Sequence, residues 1–116
     1  MQIIFYKKEN GNCPVEEFFD SLNAFQMRKT AWTLKVIQEL EFVPRQYLKK
    51  LDGTDELWEV RVQAGSDKIR ILGFIETGKL IILTRGFIKK SEKIPKNEIE
   101  LATERKKDYK RRFKNE

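Results

Sequence analysis

Three stretches in the second half of the chain have strand composition: 57 to 62 (Leu-Trp-Glu-Val-Arg-Val), 68 to 75 (Lys-Ile-Arg-Ile-Leu-Gly-Phe-Ile) and 80 to 88 (Leu-Ile-Ile-Leu-Thr-Arg-Gly-Phe-Ile). The connectors, Gln-Ala-Gly-Ser-Asp and Glu-Thr-Gly-Lys, carry turn residues, so the pattern predicts an antiparallel meander. Residues 2 to 7 predict a further, first strand. Pro14 opens a helix where its missing N–H costs nothing, with Glu16 and Glu17 in the favourable first turn. Its buried stripe is Phe18, Phe19 and Leu22. Phe25, Trp32, Val36, Ile37 and Leu40 recur at helical spacing and predict a second helix from about Ala24 to Leu40, with that stripe packed on the sheet. Pro44 ends the pattern, and residues 45 to 56 form a connection that is basic, then acidic. Pro95 begins a C-terminal helix continued by Glu98, Ile99, Ala102, Tyr109 and Phe113. Its apolar stripe is thin, so it lies on the sheet edge or is completed by a partner protein.

The order strand, helix, helix, three strands, helix predicts an α+β fold in a single domain spanning 1–116. The expected antiparallel sheet combines the first strand with the three-strand meander, carries the two N-terminal helices on one face and leaves the other face exposed. A chain of 116 residues is long enough for one core and too short for two.

Register adds chemistry to this outline. Setting Val62 opposite Ile69 and Val60 opposite Ile71 keeps apolar residues together and places Arg61 opposite Arg70; a slip of one residue would send them to the wrong face. Closing the second hairpin with Ile75 opposite Leu80 brings Arg70 opposite Arg85, so Arg61, Arg70 and Arg85 form one transverse row. Directly opposed side chains lie about 4.5–5.5 Å apart at Cβ, and like charges there are destabilising unless an anion visits them. A phosphate backbone is such an anion. The competing reading is a structural network in which Glu59, two residues from Arg61 on the same face, ties the sheet together. One carboxylate does not neutralise three guanidinium groups, and Lys68, Lys89 and Lys90 crowd the same end.

The charge balance agrees with a polyanionic partner. There are 24 Lys plus Arg against 18 Asp plus Glu, a formal net charge of +6, with an isoelectric point near 9.5. The excess concentrates in 105 to 114, which hold seven basic residues and one acid, including a basic tail from about 110. A single cysteine, Cys13, forms no intramolecular disulfide and suits a reducing compartment. No run approaches a membrane span, and the N-terminus lacks the apolar core of a secretion signal, so a cytoplasmic location is expected. No Cys/His ligand spacing, carboxylate cluster or Gly-rich phosphate loop is present, so neither a metal nor another cofactor is expected.

Four strings, in order, resemble the RelE/ParE superfamily of small bacterial toxins, most closely its HigB-like, phage-derived branch. They are Leu57-Trp58-Glu59-Val60-Arg61, Lys68-Ile69-Arg70-Ile71, Arg85-Gly86-Phe87-Ile88-Lys89-Lys90, and Ile94-Pro95-Lys96-Asn97-Glu98-Ile99 with Ala102 and Arg105. The resemblance spans residues 1 to about 110. It implies the toxin of a type II toxin-antitoxin system: an mRNA interferase that enters the ribosomal decoding site, cuts the message there, and is held inactive by an antitoxin encoded beside it. That partner is expected to be a helix-turn-helix protein, acidic or helix-bearing, forming a hetero-oligomer with the toxin. The positions matching the family's basic concave face are Arg61, Arg70, Arg85, Lys89 and Lys90. Relatives often carry histidine where this chain has Arg85, and the chain has no histidine at all.

Cleavage without histidine is feasible because the RNA 2′-hydroxyl is itself a nucleophile. Arginines spread the charge of a phosphorane-like transition state through planar bidentate contacts. The expected assignment has Arg70 and Arg85 on the scissile phosphate, Arg61 assisting, and Lys89 or Lys90 nearest the leaving group. Lys89 is preferred because it shares the face of Arg85. Lys49, Lys50, Lys68 and Lys90 would contact the RNA backbone. Like-charge repulsion should lower the pKa of a lysine in such a cluster and bring it into proton-transfer range. Two other classes stay open: a ParE-like toxin that binds and inhibits a topoisomerase, and a non-catalytic RNA-binding module. Activity on translating ribosomes against an effect on DNA supercoiling separates the first of these from the interferase.

Overall fold

The computed structural model describes residues 1–113; the last basic residue of the expected tail, Lys114, lies outside them. The elements in chain order are β1 (Gln2–Phe5), α1 (Pro14–Asp20), α2 (Ala24–Glu39), β2 (Leu48–Lys50), β3 (Leu57–Ala64), β4 (Asp67–Thr77), β5 (Leu80–Lys89) and α3 (Lys96–Arg112). They form an α+β domain around one five-stranded sheet of order β1-β5-β4-β3-β2. The meander is antiparallel as expected, but β1 joins β5 in parallel, pairing Gln2 with Leu80 through to Phe5 with Leu83. The sheet is therefore mixed. The three-residue strand β2 pairs Lys49 with Glu59, inside the stretch read from sequence as a connection.

The first hairpin has the expected register: Val62 faces Ile69, Val60 faces Ile71, Trp58 faces Gly73, and Arg61 faces Arg70. The second does not. Ile75 faces Ile81 rather than Leu80, and a bulge between Leu72 and Gly73 leaves Thr84 without an opposite residue, so Arg85 faces Leu72 and Phe87 faces Arg70. The Thr84 hydroxyl donates to the Leu72 carbonyl, 3.3 Å. Each irregularity of this kind shifts the register by one residue. Ile75, beside a second one between Ile75 and Thr77, is already one residue off the expected register and the bulge adds another, so the net shift is two: Arg85 keeps the face of Arg70 but moves one same-face pair along the strand.

Helices α1 and α2 cover one face over a core of Val15, Leu34, Ile37, Val60, Val62, Ile69, Ile71, Ile81 and Leu83. A Cβ on Gly86 would stand 2.3 Å from the Phe18 ring, so glycine is what lets α1 sit close on β5. Helix α2 is rotated from its expected orientation. It buries Gln26, Thr30, Thr33, Leu34 and Ile37, whereas Phe25, Trp32 and Leu40 are exposed. The polar members of the buried stripe are satisfied: Thr30 and Thr33 donate to the carbonyls of Gln26 and Lys29, and Gln26 Nε2 donates to Asp67 Oδ2 at 3.0 Å. Asn23 and Gln26 close a capping box at the helix start.

Helix α3 lies on the opposite face, where Ala102, Ile94 and Ile99 meet Leu57, Leu72 and Phe87, and Tyr109 packs against the cluster of Phe74, Ile82 and Tyr6. Phe74 and Phe87 are thus core residues. The expected tail from about 110 is helical as far as Arg112, with Lys110 paired to Glu76 and Arg112 to Asp108. No described helix is long and apolar enough to cross a membrane.

Candidate functional site

The face that α3 occupies divides in two. Under the helix it is apolar; beyond it, strand parity and pairing place Lys49, Glu59, Arg61, Lys68, Arg70 and Lys89 side by side on β2 to β5. Lys68 directly faces Lys89, as Arg61 faces Arg70. Five cations surround one carboxylate. Glu59 is buried and lies 3.4 Å from Arg61 Nε and 3.3 Å from Arg70 Nε. Neither Nε makes a well-directed hydrogen bond, so one carboxylate is shared between two guanidinium groups without saturating either. The ion-pair network expected as the structural alternative is present, and it leaves a net positive surplus.

The two arginines differ in what they can reach. Arg70 has a side chain only 5% exposed, and its Nη1 donates to the carbonyls of Ile69 at 3.1 Å and Val62 at 3.4 Å. Burial is the first cause holding its pKa below the ordinary arginine value; Glu59 opposes the shift and Arg61 adds to it. Arg61 is 35% exposed at its side chain and is the guanidinium group open to a ligand. Lys89 is pushed below the ordinary lysine value, first by burial and then by Arg70, with Lys68 and Arg61 adding and Glu59 opposing.

Two residues expected in the cluster, Arg85 and Lys50, stand apart from it, and a third, Lys90, lies at its border. Arg85 does not complete the row: the offset beside the irregularity between Ile75 and Thr77 and the bulge at Thr84 together move it opposite Leu72, where its Nε donates to Glu98 of α3 at 2.5 Å. It anchors α3 to the sheet. Beside it, Arg105 donates to the Thr84 carbonyl at 2.7 Å. Lys50 faces Trp58 on the other side of the sheet and pairs with Glu56 at 3.5 Å. Lys90, just past the end of β5, lines one depression with Pro14 and Glu17 of α1 and another with Lys68 and Lys89, so it borders the cluster. Among the described residues no three His, Cys, Asp or Glu side chains converge as metal ligands would.

Sequence reasoning missed the neighbourhood of Arg61. Strand β2 begins only at Leu48, opposite Val60, so beyond the Arg61 N–H, which donates to the Tyr47 carbonyl at 2.8 Å, the outer edge of β3 has no partner strand. A cleft of about 320 Å³ opens there between β3 and α2, bringing Trp32, Tyr47 and Lys29 to the two arginines. The available signal was the threonine and glutamine content of α2, which marks a sheet-facing stripe one position away from the large apolar residues.

The structure is thus a small α+β domain with half of one sheet face roofed by its last helix and the other half left cationic. The chain belongs to the family described as Phage derived protein Gp49-like (DUF891), whose model matches residues 17–107. That family is associated with RelE-like, toxin-like proteins. No curated protein matches the chain significantly.

Proposed function

We propose that this chain is the toxin of a type II toxin-antitoxin pair, a metal-independent endoribonuclease that cuts mRNA on the ribosome. The observation that carries the reading is the convergence of Arg61, Lys68, Arg70 and Lys89 around the single carboxylate of Glu59 on the uncovered half of the sheet. Family membership is consistent with it.

In this reading Arg61 binds a non-bridging oxygen of the scissile phosphate. Arg70, held by backbone carbonyls, supplies a fixed positive field behind it, and such preorganised charge stabilises the dianionic transition state without reorganisation. The 2′-oxygen attacks phosphorus and the 5′-oxygen departs, leaving a 2′,3′-cyclic phosphate. Lys89, made more acidic by burial and its cationic neighbours, delivers a proton to the departing oxygen. The 2′-proton passes to a group of the RNA or ribosome, since Glu59 is engaged by its arginines. A domain with so few phosphate contacts binds free RNA weakly, with dissociation constants of about 10⁻⁴–10⁻⁶ M by analogy with charge-driven DNA binding. Orientation by the ribosome supplies what affinity lacks. A cognate antitoxin, acidic or helix-bearing, would silence the protein by covering the same cationic half-face.

Primer extension on mRNA, with and without ribosomes, tests the proposal. Wild type should give ribosome-dependent cuts, Lys89→Met should reduce them about 10²–10⁴-fold, and Arg61→Ala should weaken them more than Arg85→Met does. Absence of cuts from the wild type, or full cutting by both Lys89→Met and Arg61→Ala, rejects it.

A further inference from the structure

Helix α2 turns an indole outward beside the arginines. Trp32 is 53% exposed, stands edge-on to Tyr47 with ring centroids 5.6 Å apart and planes at 75°, and walls the cleft that also holds Lys29, Arg61, Gln63 and Arg70. A second cleft of about 350 Å³ continues along α2 past Phe25 and Arg28 and shares Lys29 and Trp32 with the first. No carboxylate lines either cleft. The Phe25 ring already has Arg28 and Lys29 over it, at 5.8 and 5.7 Å. Among the described residues no cation lies over Trp32, whose ring is left for a flat ligand.

We propose that the cleft between α2 and the open edge of β3 is a base-stacking subsite for single-stranded RNA, in which one nucleobase lies on Trp32 and its phosphate is held by Arg61. The proposal rests on the reading of the protein as one that acts on RNA. Its chemistry is that of single-strand recognition: a cationic groove that follows the backbone, with an aromatic platform for an unpaired base. The volume suits a small planar ligand. Gln46 and Gln63 also line the cleft; the Gln63 Nε2 donates to the Gly65 carbonyl at 2.6 Å, so its amide oxygen and the Gln46 amide are the groups left to a base edge. A duplex presents no free base face, so the subsite selects single strands. The absence of acidic lining and the neighbouring guanidinium groups favour an RNA occupant over a protein surface.

The test is a fluorescence-anisotropy titration of the full chain at low salt. The ligand is a labelled single-stranded oligoribonucleotide of about eight nucleotides, within the site sizes of such grooves, with a duplex of equal length alongside. Trp32→Ala, at an exposed position, should fold normally by circular dichroism and bind the single strand about 5- to 100-fold more weakly. Trp32→Phe should recover most of that affinity, and duplex binding should not change between the variants. If Trp32→Ala binds the single strand like wild type while Arg61→Ala loses it, stacking is overturned and the phosphate site stands. Equal weakening of single-strand and duplex binding by Trp32→Ala also overturns it. A wild type that binds no single-stranded RNA overturns the subsite, while ribosome-dependent cutting is decided separately by its own assay.

Discussion

Replacing Glu59 by glutamine keeps the shape of the side chain and removes its charge. The wild-type carboxylate stands 3.3–3.4 Å from two guanidinium nitrogens, and its side chain and that of Arg70 are each 5% exposed. Removing one member of a buried pair costs about 3–5 kcal/mol, because the remaining charge has neither water nor partner. The Arg61 share adds little, since that side chain is 35% exposed and screened pairs are worth about 0–1 kcal/mol. Two backbone carbonyls still accept from Arg70, which offsets part of the loss. The expected destabilisation of Glu59→Gln is therefore about 2–4 kcal/mol, a large part of the roughly 5–15 kcal/mol that holds a domain together. Urea denaturation followed by circular dichroism measures it. Inorganic phosphate should stabilise Glu59→Gln more than wild type, because an anion that binds only the folded state takes over the missing charge. Combining Glu59→Gln with Arg70→Met should cost less than the two losses added, with a coupling of about 1–3 kcal/mol. A Glu59→Gln variant within about 0.5 kcal/mol of wild type, the range of an ordinary surface change, would refute the shared-carboxylate account, as would strictly additive losses.

Lys89 should titrate below the ordinary lysine value, and Lys68→Met, which deletes a repelling neighbour, should move its midpoint upward; NMR of ¹³C-methylated lysines reads both, and an unmoved or falling midpoint counts against the cluster. The sign for stability follows from linkage: the unfolded chain holds that proton more tightly, so the Lys89 contribution makes stability rise with pH between the folded and unfolded values. Gly73→Ala should cost about 1–3 kcal/mol or more, because its methyl would meet the Ile82 carbonyl oxygen at 2.1 Å, whereas Gly78→Ala, with nothing within 4 Å, should be near neutral; thermal melts that tolerate both equally would contradict the close β4–β5 contact.

The parts of this fold legible in the sequence are those that a period of two determines. Arg61 opposite Arg70 followed from Val60, Val62, Ile69 and Ile71 having no other face to occupy, and the structure keeps that pairing. Arg85 went astray because register irregularities leave no mark in composition: neither the step between Ile75 and Thr77 nor the extra residue Thr84 differs in residue type from a regular strand. Strand β2 was hidden by its three-residue length and by lysines that satisfy the sheet through backbone alone. In α2, large side chains outweighed small ones in the reading, while Thr30 and Thr33, which bond to their own helix, were the residues small enough to let α2 lie on the sheet. The candidate site survives this with a changed cast. Arg61, Lys68, Arg70, Lys89 and Lys49 share a face, and Arg85 serves α3 instead.

The parallel seating of β1 against β5 sets a timetable for the nascent polypeptide. The partner of Phe5 is Leu83, so the first strand has no neighbour until some eighty residues have been made, about 4–16 s at 5–20 residues per second. Until then one border of the sheet is missing and Ile81 and Leu83 do not yet exist to fill the core. Folding of this sheet is consequently completed only after β5 has been synthesised, and the cationic surface, which includes Lys89, is assembled no earlier.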